Sequence, residues 1–525
     1  MLTLTLTIPP NSNQVQVSAD GAASHTFPLA ALAFGEQQAA EFFETPERYG
    51  RRLYDALLAG PAGAALQRLA RPGRLILRLE DPALNGIPWE YLHDGRHFVA
   101  TEYALARQVP GVSLPPQEAA LLAARRPRLL FVPADPLLHH GQPAPYALGV
   151  EGEWDALRGD LTRLNPPLDL TLVLPPTMDA LQQAAAGMRG GIVHFTGHGS
   201  ADGRQTSLVF EQANGADDLI PAADFAARLR GRAALVLLSA CLSATPGHSD
   251  EANLAALLSA QGTPYVLGMQ LRVADRTARR FTDSFYHHLF CGEDVFEAVR
   301  QARLRVLGST PGSASALEMG LPVLYAADPA LPGVLLPAAP EGGLHLSQPP
   351  APTLDGLPPV ESGFFGRQRE LVRVGSLLTA ERLRQGPGYP PLAVTLHGPG
   401  GIGKTALLLR AAARFAWAFA DGVLAVPLEP LPPPQRVLER LEAFCGLPDG
   451  GALELEARLE RAARHLQEKR LLLALDNFES LLYARDGQDA ERKSWAATAL
   501  SLFARPFGAR AGAAGFEPRA ERAAR

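Results

Sequence analysis

Cysteine is scarce in this chain of 525 residues: Cys241, Cys291 and Cys445 are all there is. Three thiols this far apart make neither a disulfide framework nor a metal-ligand pattern, and they fit a reducing compartment. Long apolar runs are missing as well. No uninterrupted stretch approaches the ~18 residues needed to span a bilayer. The opening MLTLTLTIPP lacks the positive charge of a secretory leader; Leu2, Leu4, Leu6 and Ile8 instead alternate with threonine, as in a half-buried strand. There is no basic excess either. The formal net charge is −5, so the composition carries no overall footprint for nucleic acid, and short basic stretches such as Arg125-Arg126-Pro127-Arg128 read as solvated surface. No repeat of solenoid period is present. These absences lead to the expectation of a soluble, cytoplasmic protein with neither nucleic acid nor a membrane as partner.

What is present is ordinary globular composition, 47% hydrophobic and 20% charged, in a chain long enough for two or three domains. Arg74–Leu79, Arg128–Val132 and Leu168–Leu174 read as strands, and Glu41–Leu69 and Met178–Met188 as helical. Strands alternating with helices predict an α/β fold with a helix-flanked, mostly parallel sheet.

Two apolar runs end in residues capable of covalent chemistry. Gly191–Thr196 leads into His198 between Gly197 and Gly199, and Ala234–Leu238 leads through Ser239 and Ala240 into Cys241, 43 residues after His198. Runs so short and so apolar suit buried parallel strands, and open α/β sheets place their chemistry at the carboxyl ends of such strands. A thiol and an imidazole delivered to adjacent strand ends can form a dyad in which His198 draws the thiol proton. Taken singly, each residue reads more readily as an inert core thiol or a satisfied structural histidine. Their order and spacing tip the balance towards chemistry. The segment around His198 reads as strand plus glycine loop, which would free the Gly199 N–H as an oxyanion donor. His194 and His198 stand four apart, a ligand spacing on a helix but not on a strand, so zinc is not expected. The His139-His140 and His287-His288 pairs read as solvated.

These residues resemble the CHAT family, caspase-like cysteine peptidases of the caspase–separase clan. Leu84-Asn85-Gly86-Ile87-Pro88-Trp89-Glu90-Tyr91-Leu92 looks like the PWE-type segment near the start of such domains, and Asn253–Leu307 is similar to the family's later elements in order. The resemblance covers about residues 75–330. It implies a Cys241–His198 dyad with backbone N–H groups of Gly199 and Cys241 as the oxyanion site, and no cofactor for the peptidase. Cys241 lies in Ser-Ala-Cys-Leu-Ser, not in the Gln-Ala-Cys-x-Gly of animal caspases, so cleavage after Asp is not implied. Asp275 resembles the acid that separase-like members place in the pocket for the residue before the cut. It reads equally as a helix N-cap, with a helix starting near Arg276.

A second motif follows a Pro/Gly-rich stretch, 336–363, that reads as a linker. Pro391–Leu396 reads as a strand, followed by Gly398-Pro399-Gly400-Gly401-Ile402-Gly403-Lys404-Thr405 and a helix from Ala406 to Phe419. This is a G-x-x-x-x-G-K-T phosphate loop in strand–loop–helix context: backbone N–H groups hold phosphates, Lys404 reaches the β/γ oxygens, and Thr405 binds Mg²⁺. Arg470–Asp476 reads as a buried strand ending in the acid of a Walker B motif, with Asp476 supporting the same Mg²⁺. Phe365-Gly366-Arg367-Gln368-Arg369-Glu370-Leu371 and LLLALDNFE, through Glu479, resemble STAND-type (NB-ARC/NACHT-like) signalling ATPases. The resemblance implies ATP with Mg²⁺, and it sets Gly366 and Arg367 near the adenine. Asn477, where fast ATPases often carry a second acid, implies slow turnover. Only 49 residues separate Asp476 from Arg525, with no counterpart of the family's helical lid, winged helix or repeats, so the tail reads as truncated.

The expected organisation is 1–74, part of or a cap on the peptidase unit; 75–335, a caspase-like peptidase domain; 336–363, the linker; 364–500, a partial P-loop NTPase core; and 501–525, an irregular tail. The function this implies is a cysteine endopeptidase regulated by an ATP-binding STAND module, as in bacterial defence or cell-death signalling. Its partners would be a protein or peptide substrate and ATP or ADP, with self-association left open. The competing readings are a catalytically silent CHAT interaction module and a P-loop regulator in which the peptidase fold merely signals.

Overall fold

The computed structural model describes residues 1–478 except 33–40, 112–125, 145–147, 202–205, 241–252, 271–274, 309–312, 332, 334–341, 350–365, 381–393, 431, 449–452 and 468. Cys241, Glu479, most of the expected linker and the whole expected tail lie outside the described residues. The chain divides into two units, Met1–Gln212 with Ala216–Gln348, and Pro349–Arg525 with Ala213–Gly215.

The first unit is mixed α/β, built on a large, mostly parallel sheet of 14 strands among the described residues. In chain order these are β1 (Leu2–Thr7), β2 (Gln14–Ala19), β3 (Ala22–Pro28), β4 (Arg74–Leu79), β5 (Ala104–Gln108) and β6 (Arg128–Pro133). A small hairpin, β7 (Leu138–His139) and β8 (Gln142–Pro143), stands apart from the sheet. Then come β9 (Asp169–Leu172), β10 (Gly191–Ala201), β11 (Thr206–Glu211), β12 (Asp217–Pro221), β13 (Ala233–Ala240), β14 (Tyr265–Met269), β15 (Pro322–Ala326) and β16 (His345–Ser347). The spatial order is β16-β9-β6-β10-β13-β14-β15-β5-β4-β1-β2-β3, with β11 and β12 attached to β10.

The sequence pattern explains the layers. Val193, Phe195, Val236 and Leu238 join a core on one sheet face, while Ile192, Leu235 and Leu237 join a core on the other. Alternation across a strand therefore feeds both faces, as expected of a parallel sheet covered by helices. Each of these fully withdrawn side chains contributes roughly 1.5–3 kcal/mol through burial.

The N-terminal alternation acts within this sheet. Leu2, Leu4 and Leu6 are buried, and β1 runs parallel to β4, so this N-terminal segment contributes strands to the same sheet. The helical stretch expected over 41–69 is helical at 41–44, in α1 (Pro46–Leu57) and in α2 (Gly60–Arg68), with breaks at Thr45 and before Gly60, which takes φ +55°. Within the expected linker β16 pairs in parallel with β9, and Leu344 and Leu346 pack against the core. An extended Pro-flanked segment with two leucines fits an open sheet edge.

In the second unit, β17 (Val423–Pro427) and β18 (Leu472–Asp476) pair in parallel. The strand expected at Pro391–Leu396 is not formed at its described residues: Val394–Leu396 carry no strand pairing, and Pro391–Ala393 lie outside the described residues. Among the described residues β18 pairs with β17 alone, and its Leu472 and Leu473 stay half-buried.

Candidate active site

Strand β10 changes partners partway along. From Gly191 to Gly197 it lies between β6 and β13, parallel to both; from His198 to Ala201 it pairs antiparallel with β11. His198 faces Val209 and Gly199 faces Leu208 in that ladder. The expected glycine loop is thus strand. The physical reason is the β11–β12 hairpin, which pairs backbone groups that a loop would have left to water. Gly197 is required where it stands, since a Cβ there would meet the Phe195 ring at 2.7 Å and the Ala134 carbonyl oxygen at 2.9 Å.

Strand β13 approaches the same place. Thr196 registers with Ser239, and Gly197 with Ala240, the last described residue before Cys241. His198 therefore sits one residue past the final β10–β13 pair, and Cys241 follows that pair in sequence. Cys241 itself lies outside the described residues. Asp275 is the first residue of α3 (Asp275–Phe290), one residue earlier than the helix start expected near Arg276.

The His198 imidazole is half-buried, and its pKa lies below the ordinary histidine value because burial disfavours the cation and His139 adds a second imidazole nearby. The two rings meet edge-on with centroids 6.1 Å apart. This corrects the reading of His139 as solvated. The β7–β8 hairpin delivers it, held by the His140 N–H donating to Asp217 Oδ2 at 2.7 Å. The available signal was position: His139 follows the carboxyl end of β6, a neighbour of the His198 strand. His194 and His198 share a strand face four residues apart, a span of about 13 Å, too far to share one metal ion.

Below His198 on that face, His194 is wholly buried. Its Nε2 lies 3.1 Å from Ser239 Oγ and 3.2 Å from Glu153 Oε1, and Thr196 Oγ1 donates to Glu153 Oε2 at 2.8 Å. Burial alone would raise the Glu153 pKa, but the close His194 ring, with the Thr196 and Ser239 hydroxyls, outweighs it and holds the carboxyl below its ordinary value. The sequence reading assigned no role to Glu153.

The PWE segment supplies a second buried network. Trp89 Nε1 donates to the Leu84 carbonyl at 2.9 Å, and the Glu90 carboxylate receives Arg107 Nε at 3.0 Å and Nη2 at 2.5 Å, with neither ion exposed. Gln270, at the end of β14, donates to Glu90 Oε2 at 3.1 Å. Tyr325 joins Arg107 to Asn253, whose Oδ1 caps the helix Leu254–Ala260. Asn253 and Gln270 thus border the segments that follow Cys241 and precede Asp275.

In the second unit the phosphate-loop residues converge. Gly401 and Gly403 take φ +74° and +91°, and the helix α4 (Lys404–Arg414) starts directly after Gly403. Gly398 and Gly400 complete the loop. Lys404 Nζ donates to the Gly398 and Pro399 carbonyls at 3.1 and 3.3 Å, and Thr405 Oγ1 donates to Asp476 Oδ1 at 2.9 Å. Gly366 (φ +71°) precedes Arg367, whose Nη2 donates to the Ile402 carbonyl at 3.0 Å. A cleft of about 290 Å³ is lined by Arg367, Val374, Leu377, Val394, His397 and Lys404, among others. Asn477 Nδ2 donates to Glu429 Oε2 at 3.0 Å.

A family model described as CHAT domain matches residues 47–331. No curated protein matches the chain. Among solved structures, a separase–securin complex of Saccharomyces cerevisiae at 2.6 Å is similar at 15% identity and TM-score 0.30, covering 48% of this chain and 16% of that one. A second structure of the yeast complex, at 3.0 Å, gives 15% identity, TM-score 0.31, and coverage of 48% and 15%. A structure described only as a protease gives 12% identity and TM-score 0.36, covering 59% of this chain and 70% of that one. The chain therefore spans about a sixth of the separase chains it matches. No described helix is long and apolar enough to cross a membrane.

Proposed function

The chain belongs to the CHAT-domain family, and from that premise we propose that it is a cysteine endopeptidase acting through His198 and Cys241. The observation that carries this reading is the Gly197–Ala240 register pair, which brings the His198 strand and the strand leading into Cys241 to a common end. In the proposed reaction His198 takes the Cys241 thiol proton, and the thiolate adds to the scissile carbonyl. Backbone N–H groups of Cys241 and, on release from its β11 pairing opposite Leu208, of Gly199 receive the oxyanion. His198 returns the proton to the leaving amine, and water then releases the acyl group from Cys241. The substrate class is protein or peptide.

The test compares Cys241→Ala, His198→Ala and Cys291→Ala in a peptide-library cleavage assay. The first two should abolish cleavage, since dyad members act as one unit and each loss costs orders of magnitude. Cys291 is exposed on a helix end with its Sγ 3.9 Å from His287 Nε2. Its replacement should be silent. Cleavage that survives Cys241→Ala and is lost with Cys291→Ala would overturn the assignment, and no cleavage by any form would favour the silent interaction module.

We further propose that the second unit binds ATP with Mg²⁺, weakly and with slow hydrolysis, and that nucleotide state regulates the peptidase. The Thr405–Asp476 bond supports this, because it sets together the hydroxyl and carboxylate that the motif assigns to one cation. The glycine loop fits phosphate as well: a Cβ at Gly400, Gly401 or Gly403 would meet nothing within 4 Å, so the cradle is open. Lys404, now bonded to loop carbonyls, would swing to the β/γ oxygens, and Gly366 and Arg367 would lie near the base.

A further inference from the structure

Helix α5 (Val150–Leu164) buries Val150, Glu153, Trp154, Leu157 and Leu161, so a carboxylate occupies the middle of an apolar stripe. Local rules broken in this way concentrate at functional sites. The strands it faces repeat the anomaly. His194 sits at the centre of β10 between the Phe131 ring, 4.9 Å away, and the Tyr286 ring, 5.7 Å away.

The geometry of this polar group is specific. One carboxylate oxygen of Glu153 holds the Thr196 hydroxyl of β10; the other faces His194, whose Nε2 in turn meets the Ser239 hydroxyl of β13. Thr196 and Ser239 are register partners. One acid therefore spans the rung next to the last paired one of the two strands, two residues before His198 on one and two before Cys241 on the other. Strand alternation puts 194, 196 and 198 on one face of β10.

We propose that Glu153 and His194 are positioning residues that hold the ends of β10 and β13 at the spacing the Cys241–His198 pair requires. This rests on the dyad reading above. Stability is a weak reason for such a group, since buried ion pairs are often no better than apolar side chains of similar volume. Its hydrogen bonding is also incomplete: among the described residues Glu153 Oε1, which only approaches His194 Nε2 at 3.2 Å, His194 Nδ1 and Tyr286 Oη have no hydrogen-bond partner. A cluster kept only for packing would be expected to satisfy them. Fixing two reacting groups within a fraction of an ångström is what a shared acceptor between strands does well.

The test uses the full chain and the rate of Cys241 alkylation by iodoacetamide, followed by peptide mass, with Cys291 as internal reference. Glu153→Gln and Thr196→Val should each slow Cys241 alkylation by about tenfold or more while Cys291 reacts unchanged, and Glu153→Asp should recover part of the rate. Leu157→Ala, which opens a cavity on the same helix without touching the network, is the stability control. It should leave the Cys241 rate within about twofold of wild type despite a lower melting temperature. The inference is overturned if Glu153→Gln and Thr196→Val react as wild type, or if Leu157→Ala slows Cys241 equally. If His198→Ala fails to slow Cys241, the dyad reading falls; if His198→Ala slows it and the Glu153 and Thr196 variants do not, the positioning role alone falls.

Discussion

Thr405 Oγ1 donates to Asp476 Oδ1 over 2.9 Å, joining the first turn of α4 to the last residue of β18 across 71 positions of sequence. The two side chains come from different motifs, and neither motif specifies the other's place. Their contact makes one oxygen site out of two separate signals.

If that site serves ATP with Mg²⁺, Lys404→Ala and Asp476→Asn should each weaken nucleotide binding, Lys404→Ala by about tenfold or more through loss of a charge-assisted contact. Titration with a fluorescent ATP analogue, with and without Mg²⁺, measures this. Asp476→Asn should act only when Mg²⁺ is present. Equal binding by wild type and Lys404→Ala would remove the phosphate loop from the functional account.

Asp275 opens α3. A carboxylate in the pocket for the residue before the cut would pair a substrate arginine bidentately and disfavour an acidic one. Peptide-library cleavage should therefore show a preference for Arg or Lys that Asp275→Asn erases. A preference for Asp or small apolar residues would leave Asp275 as a helix-start residue, where its loss costs ~1 kcal/mol of stability.

His139 lies edge-on to His198, and with burial it depresses the His198 pKa. Removing it in His139→Ala should raise that pKa, since less burial and one fewer neighbouring imidazole then oppose protonation. A histidine-resolved NMR titration should show His198 moving upward, and the acid limb of the activity profile should move to higher pH with it. An unchanged titration would leave His139 without electrostatic influence.

Glu90 and Arg107 are both wholly buried, and a second buried guanidinium, Arg303, has its pKa pushed down to about 10 by burial, against the favourable charge of Glu90 and with the repulsion of Arg107. Glu90→Ala would leave two buried cations without a carboxylate. Urea denaturation should register a loss of about 3–5 kcal/mol, as is usual when one partner of a buried pair is removed. A loss under about 1 kcal/mol would mean that water reaches the site.

The pH dependence of stability tests the Glu153 contacts. Its folded-state pKa lies below the unfolded value, so its contribution is present above the ordinary carboxylate pKa and is lost as pH falls through the depressed one. The stability gap between wild type and Glu153→Gln should be largest near neutrality and should close in acid. A gap independent of pH would mean that the charge of Glu153 contributes nothing.

Much of the first unit was legible in sequence. The apolar runs ending near His198 and Cys241 marked parallel strands, and Leu2, Leu4 and Leu6 marked a half-buried one. The reading failed where a distant element supplied the partner. The extension of β10 through His198 needed the hairpin β11–β12, and β16 needed the open edge of β9. Within the helical stretch 41–69 the breaks at Thr45 and before Gly60 were not marked, because Gly60 takes a positive φ that the apolar pattern does not show.

What the sequence alone determined is local: which apolar runs form the central strands, which faces are apolar, and that His198 and Cys241 follow the runs that become β10 and β13. Periodicity encodes those properties because each depends on residues two to four positions apart. The tertiary structure alone decided that Glu153 reaches Thr196 across 43 residues, that Arg107 meets Glu90 in a solvent-free interior, and that the ring of His139 lies beside His198. Those contacts depend on which strands become neighbours, and that choice is made by the packing of both sheet faces at once.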